Sequence, residues 1–152
     1  MLYPTHPVAG YLIAVILKLP ALPVVVGAAL PDLIDKPLAS VGITTRYHTV
    51  AHSLVGLLIP AFLARRNQFW RAVFIGWLSH LVLDVLHMIL NGRGEDSKFL
   101  LWPFVGHESQ VQLPPVEFAA FYAGTRSFFV ELGIWAAFVT VLARKYLFGN
   151  SP

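Results

Sequence analysis

The sequence predicts an all-α fold, an integral membrane bundle of about five helices. Two observations carry that reading. Of the 152 residues 57% are hydrophobic and only 12% charged, and the apolar residues gather into runs separated by polar segments bearing proline and glycine. A chain of this length makes one domain, and a single small core cannot hide so much apolar surface from water. Helices in lipid need no such hiding. One membrane-embedded domain over residues 1–152 is expected.

The runs cover residues 8–17, 21–30, 50–64, 69–90 and 127–143. The fourth and fifth are near the roughly 20 residues that cross a hydrocarbon core, and the third is somewhat shorter. The first two are short and are separated by Lys18-Leu19-Pro20 and Pro23. They form either a tight pair of short spans or a re-entrant hairpin buried against the other helices. Pro31 lacks an N–H and disfavours helical geometry at Leu30, which is expected to end the second helix there. Arg65–Gln68 is a short basic turn. Residues 91–126 form a long connection whose Phe99-Leu100-Leu101-Trp102-Pro103-Phe104 patch has interfacial character.

The absence of cysteine excludes disulfides, thiolate metal sites and a cysteine nucleophile, so any metal is held by nitrogen and oxygen. The net charge of +3 comes from bases scattered in loops between apolar runs. Lipid headgroups, and not nucleic acid, are the expected counter-charge. The N-terminus has no basic region before its apolar stretch and no clear small-residue cleavage site, so it is expected to be retained.

Threading the helices back and forth separates the ionisable residues. Asp32, Asp35, Asp84, Glu95, Asp96, Glu108, Glu117 and Glu131 fall at one face, with Lys36, Arg46, Arg93, Lys98 and Arg126; the other face holds Lys18, Arg65, Arg66, Arg71, Arg144 and Lys145. The positive-inside rule then makes the wholly basic face cytoplasmic and the acidic face extracytoplasmic.

Five histidines accompany the carboxylates: His6, His48, His52, His87 and His107. The sixth, His80, lies deeper, and in the fourth helix the i, i+4, i+7 spacing sets His80, Asp84 and His87 on one stripe. An Asp inside an apolar span costs on the order of 2.5–3.5 kcal/mol on insertion scales, so it needs a partner. A metal cluster is one such partner, and an interhelical hydrogen bond is another. Asp32 and Asp35 offer two carboxylates where the second helix ends, and His48 and His52 two imidazoles one turn apart at the entrance to the third. His with Asp suits zinc, manganese or iron. His80 and His87 are about 10 Å apart along the axis, too far to share one ion, and Asp84 between them can bridge two. A site of two or three divalent ions is the expectation.

Thr5-His6, Leu30-Pro31-Asp32 with Asp35, His48 with His52-Ser53, His80-xxx-Asp84 in an apolar helix and Trp102-Pro103-Phe104 resemble the YdjM-type inner-membrane metal-dependent hydrolases. The match spans about residues 1–104. More remotely, the order of these residues is similar to that of the helical zinc-dependent phospholipase C and single-strand nuclease superfamily. The resemblance implies that His6, Asp32 or Asp35, His48 or His52, His80 and Asp84 are metal ligands, zinc being the first candidate. Two positions depart from the family pattern: Thr49 replaces its usual Arg, and His87-Met88-Ile89-Leu90 replaces a small Thr/Gly-rich segment.

Together these readings give a metal-dependent hydrolase in which metal-activated water cleaves a phosphoester of a lipid or lipid-linked substrate. The metal set is His6, Asp32, Asp35, His48, His52, His80, Asp84 and His87. Asp35 and His48 either ligate or orient a ligand imidazole. Glu131 is a ligand, a general base or the partner of Arg126. Asp35, His48 and Glu131 are the residues expected to take catalytic roles. Arg46, Arg93, Lys98 and Arg126 offer donors for phosphate. The rival reading is a membrane metal-binding or transport protein that cleaves nothing, completed by an oligomer if it transports. A structural subunit, in which the same residues only hydrogen-bond between helices, is a third.

Overall fold

The computed structural model describes residues 2–106, 113 and 115–149. Those residues form α1 (Thr5–Leu17), α2 (Ala21–Ser40), α3 (Leu54–Leu63), α4 (Gln68–Leu90), a 3-10 helix (Gly94–Leu101), α5 (Pro115–Tyr122) and α6 (Arg126–Phe148), with no strand among them. The all-helical expectation holds, but seven elements replace about five. The two additions lie in the long connection before α6, which is partly helical. His107 and Glu108 lie outside the described residues.

Two helices, α4 and α6, are long and apolar enough to cross a membrane; α1 and α3 are shorter apolar helices. α1 turns into α2 through Lys18, whose left-handed backbone (φ 54°) brings the N–H of Leu19 back to the Ala14 carbonyl at 2.9 Å. Side chains cap three later helices: Ser53 accepts from Gly56 N, Asn67 from Trp70 N and Thr125 from Phe128 N.

α2 does not stop at Leu30. It continues through Pro31 and Pro37 to Ser40, which carries Asp32 and Asp35 on helical backbone. A proline leaves a carbonyl one turn earlier without its helical donor, a defect that close packing tolerates. α2 packs more extensively against α4 than any other pair of elements does, and next against α1. The backbones of α2 and α4 touch: a Cβ on Gly27 would lie 2.1 Å from the Val73 carbonyl oxygen, and one on Gly76 would lie 2.0 Å from that of Val24. No side chain fits at either position, so these two glycines set the distance between the helices. One turn beyond that contact the facing positions are Asp32 on α2 and His80 on α4.

α3 also starts later than expected, at Leu54. His48 and His52 therefore sit on irregular backbone between α2 and α3, which α2 and α4 hold in place. Trp77 donates its indole N–H to the Ala51 carbonyl at 2.8 Å. Asp35 accepts from Thr49 N at 2.8 Å, and from Ala51 N and His52 N at 3.2 Å each. One buried carboxylate thus satisfies three N–H groups that no helix satisfies.

Candidate metal centre

Six predicted residues converge in three overlapping sets: His6, His80 and Asp84; Asp32, His52 and His80; and His48, His52 and Asp84. Within each set the donor atoms lie within 4.8 Å of one another. All six are buried except His48, which is partly exposed. The stripe on α4 supplies the floor, with His80 Nε2 3.2 Å from Asp84 Oδ2. Asp84 Oδ1 lies 3.3 Å from His6 Nε2, and Oδ2 lies 3.8 Å from the Nε2 atoms of both His48 and His52. Asp32 Oδ1 reaches His52 Nε2 at 3.3 Å and His80 Nε2 at 3.9 Å. The His6 and His80 rings stack at 3.8 Å.

The outer nitrogens fix which atoms face inward. His52 Nδ1–H donates to Asp35 Oδ2 at 2.8 Å, and His80 Nδ1–H donates to the Ala28 carbonyl at 2.7 Å. In the neutral rings both Nε2 atoms then carry lone pairs. These two lone pairs face each other at 3.1 Å, flanked by Asp32 and Asp84. Such an arrangement repels itself unless a positive charge stands between the donors. Burial opposes charge on the His52 ring, yet its hydrogen bonds to Asp32 and Asp35 outweigh burial and raise its pKa to about 9. A proton fills the need in part. A divalent ion fills it fully, since two donors each about 2.1 Å from one ion stand roughly 3–3.5 Å apart. The distances, the all N/O chemistry and the oriented imidazoles fit divalent metal.

Three other predicted residues stand differently. Asp35 binds the outer edge of His52 and the backbone of residues 49–52, so it orients a cluster imidazole from behind. His87 is buried on the α4 stripe, where its Nε2 accepts from Arg93 at 3.0 Å; it belongs to none of the three sets. Glu131, buried on α6, accepts a hydrogen bond from Thr5 Oγ1 and a second at 3.4 Å from Leu2 N. Trp135 of α6 also donates to Thr5 Oγ1, at 3.0 Å. Glu131 and Trp135 thus tie the start of α1 to α6 and hold the backbone that carries His6.

Two participants, Trp77 and the Ala28 carbonyl, escape a reading of the sequence, as do the contacts of Thr5 with Glu131 and of Lys36 with Asp32. Trp77 stands one turn before His80, and its spacing is a usable signal. Lys36 follows Asp32 by four residues and pairs with its Oδ2 at 2.8 Å, also at helical spacing. Nothing local in the sequence marks the Ala28 carbonyl.

Among the described residues the fold and the cluster together define an all-helical architecture with two membrane-length helices and a buried His/Asp centre able to hold metal. The chain belongs to the YdjM inner membrane protein family, whose model matches residues 1–149. No curated protein and no solved structure matches it.

Proposed function

We propose that the protein is a membrane-embedded metal-dependent hydrolase that cleaves a phosphoester of a lipid or lipid-linked substrate. The observation that carries the proposal is the pair of Nε2 lone pairs at 3.1 Å between two carboxylates, a donor arrangement that calls for a cation. An imidazole nitrogen serves one ion, whereas a carboxylate serves two. The two Asp84 oxygens, one toward His6 and the other toward His48, His52 and His80, support a bridging role and hence two or more ions. Zinc is the leading candidate, with manganese or iron as alternatives.

Ions held there would supply a water acidified toward neutrality and positive charge for an oxyanion. The chain's own residues do the rest. Asp35 and the Ala28 carbonyl keep two imidazoles in the ligating tautomer, and Glu131 steadies the backbone beside His6. Lys36, 39% exposed at its side chain and paired with Asp32, stands at the edge of the cluster, where an anionic headgroup would arrive. His48, the one partly exposed member, marks the accessible side.

Depth favours a lipid. Asp84 lies six residues before the Leu90 end of α4, about 9 Å along the axis. A bond cleaved there belongs to a molecule already in the membrane. Purified protein is expected to carry two or more dications per chain by elemental analysis, and to hydrolyse a phospholipid or lipid phosphate in mixed micelles until a chelator removes them. Bound metal with no turnover on any lipid phosphoester would favour the metal-binding or transport reading; absence of metal would leave a purely structural role.

The acidic face is expected to be extracytoplasmic, because Arg65, Arg66, Arg144 and Lys145 lie at the other end of the helices. The chain contains no cysteine, so single substitutions report cleanly. Lys98→Cys should react with an impermeant thiol reagent in intact cells and Gln68→Cys only after lysis. The reverse pattern overturns the orientation and leaves the site untouched.

A further inference from the structure

One turn beyond Asp84, toward the α4 C-terminus, His87 makes a buried arrangement that the metal cluster does not use. Its ring is 3% exposed and packs 5.2 Å from the ring of Tyr122 and 6.3 Å from that of Phe118, both on α5. Arg93, in the turn after α4, points one guanidinium nitrogen at His87 Nε2 (3.0 Å) and another at Asp96 Oδ2 (3.1 Å). A guanidinium only donates, so His87 Nε2 must accept. A ring whose Nε2 accepts carries its one proton on Nδ1.

That Nδ1–H is buried and has no hydrogen-bond partner among the described residues. Native proteins rarely leave a buried donor without an acceptor. Helical spacing puts His87 about 4.5 Å along the axis from Asp84, and it lies within electrostatic reach of both Asp84 and His6.

We infer that His87, locked by Arg93 with its proton on Nδ1, donates a hydrogen bond to a phosphoryl oxygen of the anion that binds at the metal centre. The inference rests on the hydrolase reading for the anion's identity, and it adds a specific contact to that reading. A phosphoryl group has enough oxygens to face the cluster with some and His87 with another, and it accepts from a neutral imidazole N–H without any proton being transferred. Arg93 acts as a positioning residue: it dictates the tautomer, and Asp96 in turn holds its second nitrogen.

The test measures ligand binding with metal loaded, not turnover alone. Two probes are titrated into metal-loaded protein, inorganic phosphate and a phosphatidate in mixed micelles, with metal content measured on the same samples. Asn places its amide nitrogen where His87 has Nδ1, whereas Gln reaches the Nε2 position. His87→Leu and His87→Gln are expected to weaken binding of both probes about tenfold, the loss of one hydrogen bond to a charged group. His87→Asn should recover most of that loss, and metal content should stay at the wild-type value in all three.

If the Leu variant does not fold, the contrast between Asn and Gln still decides. Wild-type affinity in His87→Gln, or equal loss in Asn and Gln, overturns the inference. A lost ion would make His87 a ligand and also overturns it. Loss confined to the lipid probe would place His87 against the glycerol or acyl part, a third overturning result. Wild-type protein that holds dications and phosphate but hydrolyses nothing defeats the hydrolase reading alone, because the binding contrast is still measurable. Wild-type protein without dications defeats both.

Discussion

Asp84→Asn protein is expected to purify folded, to hold at least one divalent ion fewer than wild type even at saturating metal, and to show no hydrolysis. Asn keeps the size of Asp and one acceptor oxygen but removes the negative charge and the second donor. Asp84 uses both oxygens, Oδ1 toward His6 and Oδ2 toward His80, His52 and His48, so a single substitution touches all four imidazoles. His80→Ala should do the same from the other side, removing the Nε2 atom that belongs to two of the three sets. The double variant should lose little more than either single one, since a broken cluster is already inactive. Elemental analysis with a turnover assay on the same samples is the measurement. A full metal complement in folded Asp84→Asn would reduce the stripe on α4 to a buried polar pair.

How much of this site is legible in the sequence depends on how local each contact is. His80 and Asp84 are legible because one helix presents them one turn apart inside an apolar run, where an isolated carboxylate is costly. The same rule places His87 on the stripe. Its fate, however, is settled by Arg93, which takes its Nε2 from a turn whose path no periodicity predicts. Asp32 and Asp35 are legible as a pair, while their division of labour is not. Whether each faces the cluster or its support depends on α2 running on through Pro31 and on the irregular path of residues 41–53. Proline chemistry argues for a break at Leu30, and the glycine-mediated packing of α2 on α4 overrides it. Glu131 is harder still: its partners, Leu2 and Thr5, lie at the opposite end of the chain, and only the packing of α6 on α1 brings them together. Helix existence is legible wherever an apolar run is long. The 3-10 helix and α5 are short and lie in a connection rich in glycine and proline, where local signals compete.

The Asp35→Asn variant should separate support from ligation. Asp35 touches His52 Nδ1 at 2.8 Å and accepts from three backbone N–H groups, and its contacts are with the edge of His52 that faces away from the cluster. Replacing one oxygen by an amide nitrogen sets a donor among four donors. It weakens the hold on residues 49–52 and frees His52 to rotate or to change tautomer. Loss of such a supporting carboxylate typically lowers metal affinity 10–100-fold without removing a ligand. The expected result is therefore conditional on metal concentration: Asp35→Asn protein should be under-loaded and slow at limiting metal, and should regain the wild-type stoichiometry and most of its turnover at saturation. Asp84→Asn should regain neither. Metal titration followed by stoichiometry and rate distinguishes the two variants in one experiment. An ion that Asp35→Asn fails to recover at any metal concentration would make Asp35 a direct ligand, and would mean that the carboxylate leaves the backbone of residues 49–52 to reach the metal.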